Sequence, residues 1–364
     1  MSSFGDLHWV SGAGWSLAWR IQKQTGSGLE IWFADFMGKR VMWRGSAPFA
    51  IVPYHRPHAG SEPPAPENCY KDGLDTQGGG AEFRALKHFA SNSGQWWTDT
   101  TMDAGVDTEA VVAENGSADD FNPAALVISA KFQCGWYQYV HRWEFAADGS
   151  IHPKVAMGGQ LNPFTPSTAH LHNFYFRIDL DIAGQFPNDV VEVFDHNSLN
   201  DPGGDGWKLV KQQGKLLADP QTARKWRVRN TISKNAIGEF RSYEFEVPQE
   251  SGRDQYSTGD VWVTVYRGDS VQQGEGVGAS GCSDIELEKV YAIGPLDTTK
   301  GNDIVVWVAV HSHHEPRNNS EEAIFLPYHY AEFSMRPRSF EIFKDLGPIE
   351  SQVIELPKGK HGHR

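Results

Sequence analysis

The stretch HLHNFYFRIDLDI, from His170 to Ile182, places apolar residues at every second position. Successive side chains of a β-strand point to opposite faces, so residues two apart share a face. His170, His172, Phe174, Phe176, Ile178 and Leu180 therefore form one stripe, apolar after its first two members. Asn173, Arg177, Asp179 and Asp181 fall on the other face, which reads as solvated. A helix, with its period of 3.6, would scatter the apolar positions around its surface.

Outward from this strand the same alternation recurs along the chain. It is present in GLEIWFADF, KRVMWRG, AALVISAKF, YQYVHRWEF, DVVEVFD, SYEFEV, DVWVTVY, DIVVWVAV and AEFSMRPRSF. Short turns such as Asp148-Gly149 separate these runs. No segment keeps a helical period over three turns, and Glu82 to Phe89 makes a short helix at most. Thirteen Trp, 20 Phe, 37 Gly and 20 Pro favour strands and turns in the same way. The pattern predicts an all-β fold, a sandwich or barrel. With 364 residues, no internal repeat and no clean linker, a single domain over 1–364 is the simplest organisation. The Pro-rich His55 to Asn68 and the Gly-rich Gly274 to Ser283 read as surface loops, and the basic tail Lys358 to Arg364 as frayed.

Charge and composition exclude several function classes. A net charge of −13 speaks against nucleic acid and would tolerate or attract cationic small molecules. No apolar run approaches the roughly 20 residues of a membrane helix. The N-terminus has no basic segment followed by an apolar one, so no signal peptide is read and a cytoplasmic protein is the default expectation. Cys69, Cys134 and Cys282 are too few and too scattered for a disulfide framework or a thiolate metal site.

The histidines are the first chemical signal. His170 and His172 open a core-facing stripe and can turn both rings toward one ion. The ordinary alternative is one satisfied core His and one at the strand mouth. In DIVVWVAVHSHH, Val306, Val308, Val310 and Ser312 lead along one face to His314, while His311 and His313 fall on the other. His314 is therefore the best third ligand. Three imidazoles without a thiolate suit copper(II) or zinc, and spacing alone does not choose between them.

Several ordered segments resemble the copper-containing amine oxidases. DIVVWVAVHSHHEPRNNSEEAIFLPYHYAEFSMRP resembles their segment with the third copper ligand, and HLHNFYFRIDLDIAG their His-x-His strand. RWEFAADGSIHPKVAMGGQL is similar to the strand and turn after their cofactor tyrosine. GLEIWFADFMGKRVMWRGSAPFAIVPYHRP resembles the opening of their catalytic domain, and ARKWRVRNTISKNAIGEFRSYEFEV and DVWVTVY resemble two further segments in order. The resemblance runs from about Trp15 to Phe343. It implies the family's large antiparallel β sandwich, usually a homodimer, with copper held by His170, His172 and His314. It also implies topaquinone, formed from a tyrosine with copper and O2, and oxidative deamination of an amine to an aldehyde with release of H2O2 and ammonia.

Residue by residue, the resemblance makes Asp75, in Tyr70-Lys71-Asp72-Gly73-Leu74-Asp75, the base that takes the substrate α-proton. Tyr54, closing Val-Pro-Tyr, is the tyrosine that hydrogen-bonds the quinone. Tyr137, six residues before Trp143, is the candidate topaquinone. It shares a strand face with Tyr139, His141, Trp143 and Phe145. The chain departs from the family around it: the usual Asn-Tyr-Asp/Glu reads Trp136-Tyr137-Gln138, and an upstream Thr reads Gln133. Two expectations follow. One is an amine oxidase with topaquinone. The other is a copper-dependent oxidase or oxygenase on the same fold, with Tyr137 unmodified and a different substrate.

Overall fold

The structure, a computed structural model, describes residues 7–22, 28–51, 111–112, 125–134, 137–159, 170–184, 187–197, 206–248, 253, 257–267, 292–314 and 326–340. Among them the chain forms eighteen strands. The first five are β1 (His8–Gly12), β2 (Trp15–Gln22), β3 (Gly28–Phe36), β4 (Lys39–Ile51) and β5 (Val111–Val112). Next come β6 (Ala125–Cys134), β7 (Tyr137–Ala146), β8 (Ile151–Gly159), β9 (His170–Leu180) and β10 (Asp189–Phe194). β11 (Trp207–Leu209), β12 (Gly214–Leu216), β13 (Lys225–Lys234) and β14 (Phe240–Glu246) follow. The last are β15 (Val261–Val265), β16 (Ile304–His314), β17 (Leu326–Glu332) and β18 (Ser334–Arg338).

The strands make two sheets, and the pairings among the described residues are antiparallel. One sheet of eight strands runs β1-β2-β3-β4-β9-β16-β15-β12. The other, of ten, runs β11-β10-β13-β14-β18-β8-β7-β6-β5, with β17 also paired to β8. The quoted alternating runs fall on strands, with AEFSMRPRSF crossing from β17 into β18 at Phe333, because alternation buries one face of a sheet against its partner. The core between the sheets takes Phe174, Phe176, Ile178 and Leu180 from β9 and Val306, Val308 and Val310 from β16. The facing sheet supplies Tyr139, Trp143 and Phe145 from β7 and Val155 and Met157 from β8.

Two glycines set the fit. A Cβ on Gly45 would lie 2.6 Å from the Trp143 ring, so the bare backbone of β4 is what lets the indole close the gap between sheets. Gly149, in the turn between β7 and β8, has φ +87, and a Cβ there would lie 2.7 Å from the Phe36 ring. The indole of Trp15 donates to the Ala146 carbonyl at 2.8 Å and ties the two sheets at the same end.

The outer face of the eight-stranded sheet differs from the expectation of a solvated one. Asn173, Arg177, Asp179 and Asp181 are all buried. Several of these polar groups have partners inside the layer. Arg177 donates to Asp179 and its guanidinium lies 6.0 Å from the Tyr266 ring, while the Tyr175 hydroxyl meets that of Ser257 at 2.6 Å. Farther along the same face Arg20, Arg44 and Trp32 converge on the carboxylate of buried Glu30. On the ten-stranded sheet the outer face carries cross-strand ion pairs, with Glu192 holding Arg227 and Arg229 and Glu244 holding Arg338.

Glu82 to Phe89, the two expected loops and the basic tail lie outside the described residues.

Candidate metal centre

β9 and β16 are neighbours, and their register decides which histidines meet. His170 pairs with His314, and His172 with Ser312. Residues directly opposite in an antiparallel pair have Cβ atoms about 4.5–5.5 Å apart. Positions 170, 172, 312 and 314 continue the inward stripes of Phe174 and Val310, so all four belong to one face at one end of the sandwich. The side chains of His170 and His314 are not among those described. His172 is, and it has no exposed surface.

His172 meets the opposite sheet. Its Nδ1 lies 3.0 Å from the hydroxyl of Tyr139 on β7, and Tyr139 is itself buried. Phe174 packs on both rings, edge-on to Tyr139 at 5.5 Å and stacked on His172 at 6.2 Å. Tyr139 and His172 are 33 residues apart in sequence, as are Trp143 and Phe176, which also meet across the sandwich at 5.9 Å. β7 and β9 thus run side by side in one direction on opposite walls. The same offset sets Tyr137, the first residue of β7, across from position 170.

The other histidines of β16 face elsewhere. His311 is 2.7 Å from the side-chain oxygen of Asn173 on the outer face, and His313 is exposed. On β7, His141 is a fully buried core residue, and burial lowers its pKa to about 3, which keeps the ring neutral. Asp181, at the far end of β9, is pushed up to about 7 by burial and by the negative charges of Asp179 and Asp303.

Asp75 and Tyr54 lie outside the described residues, as does Trp136. Tyr137 is held by its backbone between Cys134 of β6 and Gly159 of β8, without a described side chain. Gln133 and Gln138, two of the three departures from the family pattern, are direct partners across β6 and β7. Among the described residues no group of three or more His, Cys, Asp or Glu is set to hold a metal ion. Tyr139 is the residue whose part at this site the sequence reading did not assign. Its signal was present in its position, two residues beyond Tyr137 on the same stripe.

Comparison with known proteins adds the remaining observations. A family model described as "Copper amine oxidase, enzyme domain" matches residues 103–346, a span that includes all three histidines and Tyr137 but begins after Tyr54 and Asp75. The primary amine oxidase of Arthrobacter sp. (strain P1) is 27% identical over 266 residues, covering 62% of this chain and 40% of that protein. The peroxisomal copper-containing diamine oxidase 1 of Nicotiana tabacum is 24% identical over 275 residues, covering 62% and 33%. The chain therefore spans less than half the length of these relatives. In fold it is similar to a copper-containing benzylamine oxidase from Hansenula polymorpha, with a TM-score of 0.60, 18% identity and coverage of 92% of this chain and 60% of that one. It is also similar to the Pichia pastoris lysyl oxidase, with a TM-score of 0.56, 14% identity and coverage of 92% and 52%.

Proposed function

Because the chain belongs to the copper amine oxidase family, we propose that it is a copper-dependent oxidase that deaminates a primary amine. The overall reaction is RCH2NH2 + O2 + H2O giving RCHO + NH3 + H2O2, which balances in atoms and electrons. Copper is held by His170, His172 and His314, one ion per chain of a homodimer. Three neutral imidazoles fit copper(II), and the buried, hydrogen-bonded ring of His172 suits a ligand better than a solvated one would.

The observation that carries this reading is the register of β9 and β16, which pairs position 170 with 314 one step from 172. Tyr137 at the mouth of the opposite wall supports it. When bound, copper with the quinone made from Tyr137 supplies the electrophilic carbonyl and the electron acceptor for amine oxidation. The chain's own residues do the rest. Asp75 takes the α-proton of the substrate, and Tyr54 hydrogen-bonds at the oxidised ring and orients it. The net charge of −13 favours the approach of a cationic amine.

One observation favours a second reading, a copper oxidase or oxygenase with Tyr137 unmodified. The backbone register pairs Gln133 with Gln138 next to the Cys134–Tyr137 pair, so two departures from the family pattern are direct cross-strand partners. Aerobic copper loading separates the readings. The expected result is one copper per chain, quinone colour, a hydrazine adduct and a mass increase on the Tyr137 peptide. Copper uptake with an unchanged Tyr137 peptide would leave the second reading. His170→Ala, His172→Ala and His314→Ala should each abolish tight copper binding, and full occupancy in His314→Ala with loss in His311→Ala would overturn the ligand assignment.

A further inference from the structure

Tyr139 reaches across the sandwich to a ligand strand, and the partner atom it meets is specific. We infer that Tyr139 is a positioning residue for the metal centre: its phenol oxygen accepts the Nδ1–H of His172 and so presents Nε2 to the metal. The inference rests on the metal-centre reading above and deepens it.

A neutral imidazole carries one N–H, and the nitrogen without it is the one that can ligate. At 3.0 Å the Tyr139 hydroxyl engages Nδ1. If Nδ1 bears the proton, Nε2 offers its lone pair on nearly the opposite side of the ring. If Tyr139 instead donated to Nδ1, the proton would sit on Nε2 and metal binding would have to expel it. Both residues are buried, 2% and 0% exposed, so the bond works in a low dielectric where exchanging partners is costly. Phe174 lies against both rings and limits how far the imidazole can rotate. The two sheets thereby hold the ligand from both sides: β9 carries it and β7 orients it.

This geometry also separates two tyrosines that sequence alone leaves alike. Tyr137 and Tyr139 share a face, yet the Tyr139 hydroxyl is on the Nδ1 side of His172, away from the metal that Nε2 would hold. Tyr139 is therefore neither a ligand nor the residue that becomes oxidised.

Tyr139→Phe tests the inference, since it keeps the ring against Phe174 and removes only the hydroxyl. Copper(II) affinity, measured by competition with a chelator, should fall by about 10- to 100-fold, the usual effect of removing the group that orients a metal-binding histidine. The copper EPR spectrum should shift, and the metal-free variant should melt within a few degrees of the wild type. In the metal-free wild type, 15N NMR should find His172 as the Nδ1–H tautomer, a readout that does not depend on any variant folding. Unchanged affinity and EPR in Tyr139→Phe, or an Nε2–H tautomer in the wild type, would overturn the inference and leave the proposed function standing. A wild type that takes up no copper would remove both. After aerobic loading, the Tyr139 peptide should keep its original mass.

Discussion

His141 is a residue through which stability responds to pH, although it lies deep in the core two positions beyond Tyr139. Burial lowers its pKa from 6.5 to about 3. Unfolding frees the ring to take a proton below its ordinary pKa, whereas the folded protein resists until about pH 3. The stability it permits is therefore complete above about pH 6.5 and is lost as pH falls toward 3. At 1.36 kcal/mol per pH unit, the loss at pH 5 is on the order of 2 kcal/mol. His141→Leu should flatten this acid dependence, measured as the urea unfolding free energy at pH 7 and pH 5. Parallel losses in variant and wild type would show that His141 is not held neutral. The same residue marks a limit of reading faces from sequence. His141, His170 and His172 all sit on inward stripes, and alternation treats them alike. What separates a core histidine from a ligand candidate is which strand lies alongside, and pairing between distant segments is not written in local pattern.

At the scale of elements, the strands were legible because period-two alternation is a local property. β6, β7, β9, β14, β15 and β16 all fall on runs recognised from sequence. β5, β11 and β12, with two or three residues each, are too short to display a period. The outer face of the eight-stranded sheet differs from the solvated reading because its polar residues are buried, several of them paired within the layer. A signal existed in IVVWVAV, which is apolar at every position: Val305, Trp307 and Ala309 are as buried as their inward neighbours, the mark of a strand covered on both sides. This buried layer makes Glu30 a sensitive position. Its carboxylate accepts from Arg20 and Trp32 at 2.8 Å each and also from Arg44. Glu30→Gln would remove a counter-charge shared by two buried guanidinium groups. The expected destabilisation is about 3–5 kcal/mol in chemical denaturation. A loss below about 1 kcal/mol would mean that water reaches the cluster.

For the molecule as a whole, β9 is the hinge of the topology, flanked by β4 from far earlier in the chain and β16 from far later. A reciprocal backbone pair between Asp189 and Asn302, at 3.0 and 2.7 Å, joins β10 of the ten-stranded sheet to the approach into β16 of the other. With both neighbours contributed by distant segments, β9 cannot open without undoing much of the sandwich. Hydrogen exchange should therefore protect amides of β9 and β16 to the level of global unfolding, while β1 and β12 at the sheet edges exchange by local opening. Equal protection at edge and centre would contradict this. The constant offset between β7 and β9 has a consequence for how this chain tolerates insertions and deletions. A change in length between Gly159 and His170 alters the numbering but leaves the alignment of the two walls to the strands themselves. Loss of one residue within β9, between His172 and Phe174, would instead exchange its faces. The histidines would then turn outward while the aromatic residues stayed in register. The binding site would be erased by a lesion that removes no ligand at all.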